Sequence, residues 1–155
     1  MNNLFKEYEA AIDGKGRMVL PAGFRKSLAE GATKFVINRG IEKCLTMYME
    51  ETWTKLSGKI SRMNDLDPKV RSFKRMFING ASDVEADNAG RILINKTLQE
   101  YAGISKDVVF SVQGIKVEIW DRDTFYKYVE INSANYSQLA EEVSKEYAIN
   151  LFEDL

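Results

Sequence analysis

Asp13-Gly14-Lys15-Gly16-Arg17-Met18-Val19-Leu20 is answered 74 residues later by Asp87-Asn88-Ala89-Gly90-Arg91-Ile92-Leu93-Ile94. Asp, Gly and Arg hold their places in both stretches, and each Arg opens a short aliphatic run of strand character. The match continues outward at the same offset. Phe24 meets Leu98, Leu28 meets Ala102, Phe35-Val36-Ile37 meets Val109-Phe110-Ser111, and Gly40-Ile41 meets Gly114-Ile115. After a two-residue slip, Leu45-Thr46-Met47-Tyr48 meets Val117-Glu118-Ile119-Trp120, and Trp53 meets Phe125. A five-residue match alone would carry little. An apolar pattern kept through both stretches makes this a tandem duplication.

Each repeat reads as strand, turn, strand, short helix, strand, strand, helix. Residues 5–12 and 82–86 are expected strands that run into the two turns, where Asp13-Gly14 is a hairpin dipeptide and Gly16 and Gly90 can supply positive φ. Pro21 suits the first turn of a short helix, and Asn95 in the same place of repeat two is an N-cap. Strands follow at 35–39 with 44–48 and at 108–112 with 116–120, then helices at about 50–62 and 121–131. Four short strands cannot close a core alone, so two such units are expected to bury each other's apolar faces.

Between the repeats, Asp67 is an expected N-cap, Pro68 a first-turn residue and Gly80 a stop, with Val70, Phe73 and Phe77 on one face. The same helix carries Lys69, Arg71, Lys74 and Arg75; this basic face is read as solvated, as pairing with acids of a neighbouring subunit, or as meeting DNA. Residues 132–155 find no counterpart in repeat one. Tyr136, Leu139, Ala140, Val143, Tyr147 and Leu151 form an amphipathic stripe there, and Asn135 with Gln138 resembles a capping pair. Its polar face carries Glu141, Glu142 and Glu146 instead of the cations of a membrane-surface helix, so docking on its own core or on a partner is expected. The expected divisions are a first repeat at 5–53, linking helices at 54–80, a second repeat at 81–130 and an acidic amphipathic tail at 131–155.

The 155 residues are 45% hydrophobic and 29% charged, enough apolar material for a core. No run of about 18 apolar residues exists for a membrane span, and Met1–Glu7 lacks the apolar run of a signal peptide. One cysteine, Cys44, cannot form an internal disulfide and fits a reducing compartment; it is read as a core residue. The chain has no histidine, which removes a Ser-His-Asp triad and the commonest general base and metal ligand. No catalytic residues, metal site or cofactor are expected. Charge is divided unevenly: residues 1–80 hold fifteen Lys and Arg against nine Asp and Glu, and residues 81–155 hold seven against fourteen. A basic half can face a polyanion, or can be an unevenly charged solvated surface.

An Arg leaving a glycine-containing turn can aim its planar fork at a phosphate or at the O6/N7 edge of guanine. Lys15 would meet phosphate as a point charge. Asp13 and Asp87 cannot favour a polyanion; they would hold the turn or orient Arg17 and Arg91. The alternative is that both Asp–Arg pairs only make the fold. The matched aromatics, Trp53 with Phe125 and Tyr48 with Trp120, are read as packing residues together with Phe73 and Phe77.

The Asp-x-x-Gly-Arg turn between short strands resembles the AbrB/SpoVT family of swapped-hairpin DNA-binding proteins. The ordered set Asp13–Arg25, Arg39-Gly40, Arg71–Phe77, Gly80-Ala81, Asp87–Ile94 and Glu118–Asp121 is more specific and resembles the MraZ family, over roughly residues 5–130. The resemblance implies an α+β fold: two tandem AbrB-like swapped-hairpin units in a pseudo-symmetric β-barrel, with short helices, a linking helix and a C-terminal helical tail. It also implies a non-enzymatic, sequence-specific DNA-binding regulator, cytoplasmic and nucleoid-associated. Such a protein assembles into a ring homo-oligomer, binds double-stranded promoter DNA at short direct repeats and represses its own division and cell-wall gene cluster. The DNA-binding residues would be Lys15, Arg17, Arg25, Lys26 and Arg91, with Asp13, Gly16, Asp87 and Gly90 holding the motif. Repeat two departs from repeat one: Ala89 stands where Lys15 does, and Gln99 where Arg25 does, so the first repeat is expected to lead. The alternative is an AbrB-like interaction protein or antidote whose tail binds a protein partner.

Overall fold

Tight turns and short caps set the element boundaries. In the computed structural model, residues 5–148 are described. Residues 5–77 supply β1 (Phe5–Ala11), β2 (Arg17–Val19), α1 (Ala22–Ser27), β3 (Lys34–Arg39), β4 (Leu45–Met49), α2 (Glu50–Ser61) and α3 (Pro68–Phe77). Residues 82–146 supply β5 (Ser82–Glu85), β6 (Arg91–Leu93), α4 (Lys96–Ala102), β7 (Asp107–Gln113), β8 (Lys116–Asp121), α5 (Arg122–Ser133) and α6 (Tyr136–Glu146). The order of seven elements therefore occurs twice. The tail, which finds no counterpart by sequence, contains α6 in the serial place that α3 has after α2. Leu151, the last residue of the expected stripe, lies outside the described residues.

The expected caps are present at α3 and α4. The Asp67 carboxylate accepts from the Lys69 N–H at 2.9 Å, and the Asn95 side chain accepts from the Leu98 N–H at 2.9 Å. At α6 the expected pair does not form: Asn135 makes no side-chain cap, and Gln138 Nε2 donates to Glu142 instead. Asn135 sits at φ −113°, ψ 12°, a bridge conformation rather than the extended one that lets an N-cap side chain reach forward.

The chain divides into two compact units, one ending at Arg122 and one beginning at Asp123. The first holds all eight strands. Six form an antiparallel sheet in the order β1-β7-β8-β4-β3-β5, and β2 pairs β6 in a separate two-stranded ribbon. β1 and β5 are the edges of the larger sheet, so its ladders do not close it into a barrel. Each repeat gives its first strand to the other: β1 pairs β7, and β5 pairs β3. The registers obey one pseudo-two-fold relation, which passes between Met18 and Ile92 in the ribbon and between Thr46 and Glu118 in the sheet.

One equivalence differs from the sequence alignment. Ile12 N–H donates to the Lys106 carbonyl and Ala86 N–H to the Thr33 carbonyl, both at 2.8 Å. Thr33 is therefore the counterpart of Lys106, and Ile37 of Phe110, one residue off the offset that holds at the turns. The connection from α4 to β7 is shorter than that from α1 to β3, and a one-residue slip reverses which face a strand side chain occupies.

The core is built from both repeats. Phe24, Phe35, Ile37, Phe110, Met18, Ile92, Leu45 and Ile119 are fully buried, with the Phe24 and Phe110 rings 5.0 Å apart edge to face. On the other side of the sheet, Tyr48, Trp53, Phe77 and Phe73 stack in series at 5.4–5.6 Å, which fixes α2 and α3 by packing. The end of α3 is held by β3. Asn38 Nδ2 donates to the Phe77 carbonyl at 2.6 Å, and Arg39 donates to the Arg75 and Met76 carbonyls.

Thr46, on the pseudo-two-fold, has a buried Oγ1 without a hydrogen-bond partner among the described residues. A buried hydroxyl left unpaired costs stability. Thr46→Val is expected to stabilise the protein by about 1 kcal/mol, seen as a higher denaturation midpoint with unchanged slope. A destabilised variant would show that the hydroxyl is satisfied.

Candidate nucleic-acid interface

The ribbon places its side chains by strand alternation. Met18 and Ile92 point into the core, at 0% and 1% exposure. Arg17, Val19, Arg91 and Leu93 therefore share the opposite face, where Arg17 stands across from Leu93 and Val19 across from Arg91. Val19 and Leu93 are 52% and 58% exposed. Two arginines thus flank an apolar centre in a pseudo-symmetric arrangement.

Each turn is organised by its aspartate. Asp13 Oδ1 accepts from the Lys15 and Arg17 N–H groups, both at 2.9 Å, and Oδ2 accepts from Arg17 Nε at 2.9 Å. Asp87 repeats the pattern with Ala89 N–H, Arg91 N–H and Arg91 Nε, the last at 2.8 Å. The bond through Nε fixes each guanidinium, while the terminal nitrogens take no partner among the described residues. Gly16 (φ 82°) and Gly90 (φ 75°) turn the chain into β2 and β6. Their carbonyls accept across the ribbon, Gly16 from Ile94 N–H and Gly90 from Leu20 N–H.

Backbone donation from Arg17 is the main cause that holds the Asp13 carboxyl below its ordinary 3.8, and Arg91 N–H does the same for Asp87. A lowered folded pKa means the carboxylate stabilises the turn fully above pH 3.8, and that contribution is lost as pH falls through the lowered value. The amide resonances of Lys15, Arg17, Ala89 and Arg91 should therefore stay constant through the neutral range and move only in acid. An NMR titration midpoint above 3.8 would contradict this geometry.

The remaining sequence-derived candidates separate. Lys15 is exposed at the first turn, and Arg25 and Lys26 are in the last turn of α1. Arg25 does not complete the turn of its own repeat: its guanidinium lies against Gly90, in the second turn. Lys26 lines neither of the grooves beside the two turns. Lys106, which sequence reading passed over, lines the groove that contains Asp13, Arg17 and Arg91. Its only sequence signal was a lone cation before a strand.

The basic helix α3 spends two of its four cations internally. Lys74 Nζ donates to the Ser61 and Met63 carbonyls and to Asp65, and Arg71 donates to the Asp65 and Leu66 carbonyls, which pins the α2–α3 connection. Elsewhere, Glu42, Cys44 and Glu118 bring ligand-type atoms within 4.8 Å of one another. Glu118 Oε1 already accepts from Gln113 and Trp120, and Lys116 Nζ lies 3.8 Å from Oε2. Burial pushes the Cys44 thiol up to about 12, which makes it a packing residue rather than a nucleophile. This donor set is engaged within the sheet and is assigned no metal. No helix among the described residues is long and apolar enough to cross a membrane.

Crossed strands around two Asp-x-x-x-Arg turns define a tandem-repeat α+β protein with an arginine-bearing ribbon on its pseudo-two-fold. A family model described as "MraZ protein, putative antitoxin-like" matches twice, over residues 4–76 and 77–146. The chain belongs to the MraZ family. It is 37% identical over 140 residues to Transcriptional regulator MraZ of Acetivibrio thermocellus, covering 90% of this chain and 96% of that protein. It is 40% identical over 137 residues to the protein of the same name from Heliobacterium modesticaldum, covering 88% and 94%. It is 38% identical over 136 residues to that of Cytophaga hutchinsonii, covering 87% and 90%.

Proposed function

We propose that the chain is a sequence-specific DNA-binding transcriptional regulator that uses the β2–β6 ribbon as its contact face. The observation that carries this reading is the pair Arg17 and Arg91, held by aspartates through Nε with their terminal nitrogens presented outward. A two-stranded ribbon fits the B-DNA major groove, and a guanidinium there can bind guanine bidentately or clamp a phosphate. Val19 and Leu93 between them offer apolar surface suited to thymine methyl groups. Lys15 adds a phosphate contact at the first turn, with Lys26 as a peripheral one.

One subunit supplies few cations. A ring homo-oligomer on repeated promoter sites multiplies them, provided subunit spacing matches repeat spacing. The names of the relatives support a regulator of transcription. We read it as cytoplasmic, bound to nucleoid DNA, and acting as an autorepressor of its own division and cell-wall gene cluster. The proposed division into repeats at 5–53 and 81–130, with linking helices at 54–80 and a tail at 131–155, keeps the DNA face within the repeats. A second reading, in which the tail captures a protein partner, is favoured by the exposed Tyr136, Leu139 and Tyr147 on and beside α6.

Fluorescence anisotropy with the duplex immediately upstream of the gene, against a scrambled duplex and across a salt series, tests the proposal. Preferential, salt-dependent binding is the expected result. Equal or absent binding to both duplexes would overturn it and favour the partner-binding tail.

A further inference from the structure

The two turns are not served by cations of their own repeats alone. The Arg25 guanidinium lies on Gly90 of the second turn: a Cβ built there would fall 2.6 Å from Nη1 and 2.7 Å from Cζ. Its pseudo-equivalent, Gln99 on α4, lies on Gly16 of the first turn, where Nε2 would be 2.7 Å from a built Cβ. Each short helix therefore crosses to the other repeat's turn, but only one of the two brings a charge. The mirror situation holds one connection later. Lys106, tied to the strand entering the first turn through its carbonyl and the Ile12 N–H, lines the groove that also holds Glu9, Asp13, Arg17 and Arg91. Its counterpart Thr33, tied in the same way to Ala86, is neutral.

We infer that each turn takes a cation from the opposite repeat, Lys106 at the first and Arg25 at the second, so that the DNA face consists of two crossed and chemically unlike phosphate half-sites. This rests on the function proposed above and specifies it. The first half-site holds Arg17, Lys15 and Lys106 beside neutral Gln99. The second holds Arg91 and Arg25 beside Ala89. Arg25 offers a planar fork and Lys106 a point charge, so the two make different demands on phosphate position. A face with true two-fold symmetry matches a palindrome and binds it in either direction. This face has the two-fold backbone but not two-fold charge, and a subunit seats on a duplex in one direction. Repeat two is thereby a full participant despite lacking cations at Ala89 and Gln99.

The repeats supply their own control substitutions. Arg25→Gln copies Gln99, and Lys106→Thr copies Thr33, so each introduces a residue the fold already holds at the equivalent place. Binding of the upstream duplex is measured by anisotropy across a salt series. Both variants are expected to bind several-fold more weakly and to flatten the log–log salt slope, by about 0.9 for each phosphate no longer neutralised. Arg25→Gln should be coupled to Arg91→Ala, the double loss being smaller than the product of the single losses, and independent of Arg17→Ala. Gln99→Arg, which adds a cation to the first turn, should strengthen binding, a gain that no folding defect imitates. Unchanged affinity and slope in Arg25→Gln and Lys106→Thr while the unmodified protein binds would overturn the inference and leave the function standing. Coupling of Arg25 to Arg17 instead of Arg91 would overturn it too. Failure of the unmodified protein to prefer the upstream duplex would remove both.

Discussion

Arg17→Ala is expected to weaken binding of the upstream duplex by roughly 5- to 150-fold per engaged subunit, equivalent to the ~1–3 kcal/mol that a bidentate base pairing supplies. Arg91→Ala should act in the same direction, because the two arginines occupy pseudo-equivalent places on one ribbon face. The form of the weakening identifies the role. If Arg17 reads a base, its removal lowers discrimination between upstream and scrambled duplexes. If Arg17 holds a phosphate, its removal weakens both duplexes alike and flattens the salt slope. Stability should hardly move, since Asp13 and Arg17 form a solvent-exposed pair with side chains 43% and 39% accessible. Unchanged binding in both variants, with folding intact, would return the Asp–Arg pairs to a purely structural role.

Phe110→Ala should have the largest effect on stability, a decrease of about 3–5 kcal/mol in chemical denaturation. Phe110 is fully buried, packs edge to face on Phe24 and stands opposite Tyr8 on β1 and Ile119 on β8. Its removal opens a cavity where both repeats meet and neither can collapse alone. Against a typical total of about 5–15 kcal/mol, that is a large share of the fold's stability. Ile37, the pseudo-equivalent residue, provides a graded comparison: Ile37→Val deletes one methylene and should cost about 0.5–1.5 kcal/mol. Equal small effects in the two variants would mean that the site repacks.

Much of this fold is legible because its signals are local. The two turns, the caps at Asp67 and Asn95 and the glycine at Gly16 each act within a few residues of themselves. The strand exchange is not legible in the local residues, because nothing near Phe5–Ala11 names β7 as its partner; swapped hairpins are an expectation from the family resemblance alone. The one-residue slip at β7 is hidden for a related reason. Val108, Val109, Phe110, Ser111 and Val112 are all buried, so the strand shows no polar alternation by which its facing could be read. The Arg17 and Arg91 face could be read from the motif. The placement of Arg25 on Gly90 and of Lys106 beside Arg17 follows only from the crossed pairing. The unformed cap at Asn135 shows the limit of a local pattern, since its side chain meets the wrong backbone conformation.

The exchange of first strands also sets an order of events during synthesis. Tyr8 emerges from the ribosome about 100 residues before Phe110, its ladder partner, which at ~5–20 residues per second is a wait of roughly 5–20 s. Through that interval β1 has no ladder partner, and β3 lacks β5 until the second repeat begins to appear. A transcript truncated after the first repeat would yield a chain in which β1, β4 and β3 each lack a ladder partner, able to pair with the same segment of another nascent chain. The protein's assembly is therefore timed by the end of its message rather than by its beginning.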